Sequence, residues 1–113
     1  MRVAVISDIH ANLRALDAVL AAAGSVDAVW QLGDVVGYGP DPNAVIERLR
    51  RAGAAGVRGN HDDAVLGLLP IDEFNDEARL AAEWTRARLD DHARAFAALT
   101  APAGPRGKII LDV

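Results

Sequence analysis

An α/β fold, a mostly parallel sheet with flanking helices, is predicted for this chain by two features of its sequence. Short apolar, β-branched runs alternate with amphipathic helical stretches. Each of the first three runs ends in a polar block rich in Gly, Asp and His. With 113 residues, 51% hydrophobic and 25% charged, the composition fits one globular domain over 1–113.

The elements follow in order. Val3 to Ser7 reads as a central strand buried on both faces. Asn12 to Ala23 reads as a helix with Leu13, Leu16, Val19 and Leu20 on one face and Gly24 as its stop. Ala28 to Leu32 is the second strand. Gly37 to Pro42 is a rigid loop that closes with Asp41 as N-cap and Pro42 at the first helical position. The helix from Pro42 to Arg51 buries Val45, Ile46 and Leu49, and Ala54 to Arg58 is a third strand. Beyond it the texture turns helical. Ala64 to Leu69 is a short turn or helix ended by Pro70. Asn75 caps a helix to about Leu89 with Leu80, Ala81 and Trp84 inward. Asp90 or Asp91 caps another that carries Phe96 and Leu99. Ala101 to Gly107 reads as a loop and Lys108 to Val113 as a fourth strand.

Successive strand–helix–strand units imply a parallel sheet with right-handed crossovers, in which ligands gather beyond the carboxyl ends of the strands. Topology therefore brings three blocks to one edge: Ser7-Asp8-Ile9-His10, Gly33-Asp34-Val35-Val36-Gly37 and Gly59-Asn60-His61-Asp62. Asp8 and His10, two apart at a strand end, point the same way and can grip one metal ion. Asp34, set between glycines, can bridge two cations with its two oxygens. Asn60 offers a neutral carbonyl, which limits negative charge where a phosphate must enter. His61 fits a positioned acid or electrostatic donor better than a ligand, with Asp62 able to orient it. Singly, each block also fits a turn or a capped loop. Their order, each after a strand, favours a divalent-metal site for phosphate-ester chemistry.

Other functions are disfavoured. A net charge of −4 without a basic stripe argues against general nucleic-acid binding. There are no cysteines, which removes thiolate sites and suits a cytoplasmic location. The opening apolar run is too short for a membrane span. Gly37-Tyr38-Gly39 lacks a third glycine for a dinucleotide fingerprint, and Ser7 lies in no nucleophile elbow.

The three blocks, with the surrounding Ser7-Asp8-Ile9-His10-Ala11-Asn12-Leu13 and Gly33-Asp34-Val35-Val36-Gly37-Tyr38-Gly39-Pro40, resemble the first three motifs of the calcineurin-like metallophosphoesterases, in their compact bacterial branch. The resemblance runs from Met1 to about Leu99. It implies the first half of an αββα sandwich. It also implies that Asp8 and His10 ligate a first metal, Asp34 bridges and Asn60 ligates a second. His61, supported by Asp62, would stabilise the transition state or protonate the leaving group. Manganese, iron, zinc, nickel and magnesium are all compatible with these ligands. The implied substrates are phosphodiesters, phosphomonoesters or nucleotides.

The family completes its site with a later strand-end histidine and a Gly-His-x-His block, neither of which occurs in these 113 residues. His92 falls in a helix, and Asp112 stands near the family's histidine position on one register of the last strand. A truncated, impaired enzyme is therefore expected, with a non-catalytic remnant that binds metal or a partner chain as the alternative. The sheet face carrying residues of Val3-Ala4-Val5-Ile6, Val29-Trp30 and Ile109-Ile110 would lack its cover, which predicts a dimer or a partner chain.

Overall fold

Strands β1 (Val3–Ile6), β2 (Ala28–Gln31) and β3 (Ala55–Arg58) pair in parallel in chain order, and helices α1 (Leu13–Ala23) and α2 (Pro42–Arg51) form the two crossovers. The computed structural model describes residues 1–102. The expected strand Lys108 to Val113, and with it Asp112, lies outside the described residues, as do the side chains of His92, Phe96 and Leu99. After β3 come α3 (Asn60–Val65), α4 (Asp76–Arg88) and α5 (Asp91–Leu99). A two-residue strand, β4 (Ala101–Pro102), then pairs in parallel with Val57 and Arg58 where a loop was expected. Among the described residues no helix is long and apolar enough to cross a membrane.

Local chemistry sets the helix ends. Asn12 Oδ1 accepts the Ala15 N–H at 3.0 Å and starts α1, which Gly24 ends in the left-handed region at φ +67°. Asn75 Oδ1 accepts from Ala78 at 2.8 Å, and Asp90 Oδ1 accepts from Ala93 at 2.7 Å. Asp41 departs from expectation. It occupies the N-cap position of α2, but its side chain caps nothing. Its N–H instead donates to the Ala11 carbonyl at 3.0 Å, tying the loop before α2 to the end of the first polar block.

Two apolar clusters meet at α2. Val45 and Leu49 join Ile9 and Leu16, while Ile46 joins Val36, Val65, Ala82, Leu89 and Ala93. Val35 packs against both clusters. The inward face of α4 is not the expected one: Leu80 is 60% exposed and Trp84 is also exposed, whereas Ala78, Ala82 and Thr85 are buried. Small residues at this spacing let α4 lie close against its neighbours. Trp84 instead carries the Arg88 guanidinium 3.9 Å over its ring. On α1, Val19 likewise points outward.

Within the described sheet β1 is an edge strand and not a central one, and Val5 is 49% exposed. The register pairs Val5 with Trp30, and Ile6 with Gln31. Side chains alternate along a strand, so Ala4, Ile6, Val29 and Gln31 face the helices. The open face carries Val3, Val5, Ala28 and Trp30, and the Ile109-Ile110 part of the expected face lies outside the described residues.

From Asn60 onward the third polar block is itself helical, so the short turn or helix expected over Ala64 to Leu69 begins earlier, at Asn60. Asp62, at the third position of α3, accepts the Gly59 N–H at 2.9 Å through Oδ2 and so closes the first turn. Its Oδ1 accepts the Val36 N–H at 3.0 Å. The side chain is 4% exposed, so one buried carboxylate joins the loop after β2 to the start of α3. Burial raises its pKa from 3.8 to about 6, against the lowering effect of the two amides.

Two predictions follow from these contacts. Asn43 donates to the Arg88 carbonyl at 2.8 Å and accepts from the Asp90 N–H at 3.1 Å, pinning the α4–α5 junction to α2. Asn43→Ala is expected to destabilise the chain by about 1 kcal/mol in urea denaturation, and an unchanged midpoint would refute the pin. Asp62→Ala leaves two amides without an acceptor and is expected to cost roughly 2 kcal/mol at pH 7.5. Because the folded-state pKa of Asp62 lies above its unfolded value, its contribution is complete below about pH 4 and declines as pH rises through 6. The difference between wild type and Asp62→Ala should therefore widen by about 1 kcal/mol at pH 5. A constant or shrinking gap in metal-free buffer would contradict this.

Candidate metal centre

The pairing of β1 with β2 continues past the sheet into the ligand loops. Leu32 N–H donates to Ile6 at 2.9 Å, Asp8 N–H to Gly33 at 3.0 Å, His10 N–H to Asp34 at 2.9 Å and Ala11 N–H to Val35 at 2.8 Å. The first two blocks are thus registered against each other by backbone hydrogen bonds. This register is held at a conformational cost. Asp8, His10, Ala11, Asp34 and Tyr38 all have φ between +48° and +66°. They are the only non-glycine residues with positive φ among those described, and each such residue costs about 1–2 kcal/mol.

Ligand atoms of Asp8, His10 and Asp34 lie within 4.8 Å of one another. His10 Nε2 is 3.7 Å from Asp8 Oδ1, and the Ser7 hydroxyl donates to Asp8 Oδ2 at 2.6 Å, fixing the carboxylate. His10 Nδ1 is buried with no hydrogen-bond partner. Two carboxylates, an imidazole and a buried ring nitrogen left unpaired form a donor set suited to a divalent cation. The cluster can hold one metal ion.

The third block is brought against this cluster by a close backbone approach. A Cβ on Gly59 would lie 2.2 Å from Asp34 Oδ1 and 2.6 Å from Asp34 N, so only glycine fits. The His61 N–H then donates to Asp34 Oδ1 at 3.1 Å. Asn60 lies exposed in the first turn of α3, with no hydrogen bond from its side chain to the described residues. It shares the strand-end edge, but the three convergent donors are Asp8, His10 and Asp34.

His61 is oriented otherwise than expected. Both Asp62 oxygens are engaged by backbone amides, and no hydrogen bond joins Asp62 to the imidazole. The ring sits instead between Tyr38 and Phe74, each with its centroid 5.0 Å away, and 5.1 Å from His10. Gly37 makes room for it: a Cβ there would meet the imidazole at 3.2 Å. Desolvation lowers the His61 pKa, and His10 adds to that, while Asp34 and Asp8 pull the other way. The result favours a neutral imidazole with an N–H to donate.

Three contributors were missed in the sequence. Gln31 is buried and spans β3 and the ligand loop, donating to the Val57 carbonyl at 2.9 Å and accepting from Gly33 N–H at 2.8 Å. Its signal is a polar residue two positions after Val29, on the inward parity of an apolar strand. Ser7 and Phe74 left less trace, because their roles depend on contacts that spacing does not specify.

A family model for calcineurin-like phosphoesterases matches residues 1–104. The chain is 45% identical over 86 residues to an uncharacterized protein of Methanocaldococcus jannaschii, covering 74% of this chain and 35% of that protein. It is 39% identical over 69 residues to a symmetrical bis(5'-nucleosyl)-tetraphosphatase of Photorhabdus laumondii, covering 57% of this chain and 25% of the relative. Among solved structures, a metallophosphoesterase from Sphaerobacter thermophilus superposes with a TM-score of 0.73 at 48% identity, over 88% of this chain and 41% of the other. A putative diadenosine tetraphosphatase superposes with a TM-score of 0.69 at 26% identity, over 88% and 42%. The chain thus spans about a quarter to two fifths of the length of these relatives. Its parallel sheet corresponds to the first half of a metallophosphoesterase sandwich, and by this match the chain belongs to the calcineurin-like phosphoesterase family.

Proposed function

We propose that this chain carries the metal-binding and phosphate-facing part of a phosphoesterase acting on phosphodiester, phosphomonoester or nucleotide substrates. The observation that supports this reading most directly is the convergence of Asp8, His10 and Asp34 within 4.8 Å on two hydrogen-bonded loops. In this reading Asp8, His10 and Asp34 would hold a first cation, and Asp34 and Asn60 would serve a second. Manganese, iron, zinc, nickel or magnesium would serve with these donors. A divalent cation there supplies Lewis acidity toward the phosphoryl group and toward water. His61, neutral and held by its aromatic neighbours, donates an N–H to the transition state or to the leaving oxygen. Asp62 acts on His61 only through the backbone, by fixing the turn from which it projects. The nucleotide end of the substrate range is favoured by the relative named as a bis(5'-nucleosyl)-tetraphosphatase.

A second reading, a metal-binding chain without turnover, is favoured by one feature: the described cluster contains three donors, fewer than a dinuclear site requires. Hydrolysis of bis(p-nitrophenyl) phosphate with added manganese separates the two. Wild-type turnover reduced at least about 100-fold by Asp34→Asn supports the enzyme, since ligand loss costs no less than loss of an outer-shell partner. Manganese binding by calorimetry without turnover supports the second reading. Asp34→Asn with undiminished metal affinity would refute both.

A further inference from the structure

We propose that Tyr38 is a substrate-binding residue whose ring stacks an aromatic group, a nucleobase or an aryl moiety, attached to the phosphate. This rests on the phosphoesterase reading for the position of the phosphate. Four rings form a connected cluster beside the metal ligands: His10, Tyr38 and His61 contact one another, and Phe74 contacts His61, with neighbouring centroids 5.0 to 5.3 Å apart. Phe74, His61 and His10 are half-buried, whereas Tyr38 is 51% exposed. Tyr38 is therefore the one ring of the four that is more exposed than half-buried, and it lies next to a cation ligand.

The position of this ring is enforced. Tyr38 holds φ +66°, a conformation unfavourable for any residue with a Cβ. Asp8, His10 and Asp34, three of the four others that share it, supply the cluster, and the fourth, Ala11, is wholly buried in the same loops. Tyr38 has neither role. Its hydroxyl makes no hydrogen bond to the described residues, and its ring contacts with His10 and His61 leave about half of the residue exposed. The following Gly39 lies so close to the His10 carbonyl that a Cβ would stand 2.0 Å from it. That contact anchors the loop to the first metal-ligand block and places the ring over His10 and His61. A strained, anchored aromatic with an open face is suited to stacking, which tolerates any base because every base has a π-face.

The test compares adenosine monophosphate with ribose 5-phosphate, which differ by the base, as ligands of the magnesium-saturated chain in isothermal titration. Wild type should bind adenosine monophosphate about 5- to 30-fold more tightly. Tyr38→Ala should bring the two affinities within about twofold of each other, and Tyr38→Phe, which keeps the ring, should preserve the preference. No wild-type preference, no binding of either probe, or a preference that survives Tyr38→Ala would overturn the proposal. So would equal loss in Tyr38→Phe and Tyr38→Ala, which would assign the effect to the hydroxyl. Turnover of phosphodiesters without a base preference rejects this subsite and spares the phosphoesterase reading. A base preference in a chain that hydrolyses nothing does the reverse.

Discussion

The Asp62 carboxylate is the contact on which the site's geometry depends. Its two oxygens accept the Val36 and Gly59 amides, and so lock the loop after β2 to the first turn of α3. Asp34 lies in that loop, and the Asp34 carbonyl in turn accepts the His10 N–H. One buried side chain thus fixes three segments that sequence keeps well apart. The arrangement is costly, because a carboxylate removed from water resists ionisation, and burial accordingly raises its pKa to about 6. Two hydrogen bonds to backbone N–H groups offset that cost, and they are of the charge-assisted kind that is roughly twice as strong as a neutral pair.

Apolar packing gives this lock a rigid base. Val35 reaches both core clusters while Val36 belongs to one, so the two residues that follow Asp34 are held by the core around α2. Such over-determination is what allows five residues to stay in the left-handed region. Strain concentrated in the two ligand loops has a physical meaning here. Relaxing the dihedrals of Asp8, His10 or Asp34 would swing a ligand away from the cluster, and the core and the inter-loop hydrogen bonds both oppose it.

Much of the scaffold was legible in the sequence because it is written in local chemistry. Asn12, Asn75 and Asp90 are helix caps both by residue type and by observed hydrogen bond, and the alternation of short strands with helices sufficed for a parallel sheet. Asp8, His10 and Asp34 were legible for the same reason: each follows a strand, and parallel topology brings strand ends together. Failures came where tertiary contacts overrule local pattern. Leu80 and Trp84 look like core residues by hydrophobicity, but α4 is seated by Ala78 and Ala82, whose small side chains permit closer approach. Asp62 looks like a partner for the adjacent His61, yet the backbone amides it meets come from a residue 26 positions earlier and from the turn it closes.

The way His61 is held bears on the charge balance of the site. A carboxylate hydrogen-bonded to that imidazole would add a third negative group beside Asp8 and Asp34, where the proposed function has a phosphate ester approach. Coulomb repulsion between unit charges 4 Å apart is about 4 kcal/mol even at an effective dielectric constant of 20, so a further carboxylate at the surface of the site would weigh against substrate. Aromatic neighbours orient the ring without adding charge. Asp62, turned away onto two amides, has its charge spent on the backbone. On the proposed function, what would face a phosphate is two carboxylates, whose charge one divalent cation would balance, together with the His61 imidazole and the neutral Asn60 amide. A phosphate ester entering that site brings fresh negative charge with no side-chain cation in the cluster to meet it. On the proposed function its binding would rest on N–H donors such as His61 and on positive charge that the cluster carries beyond the first cation.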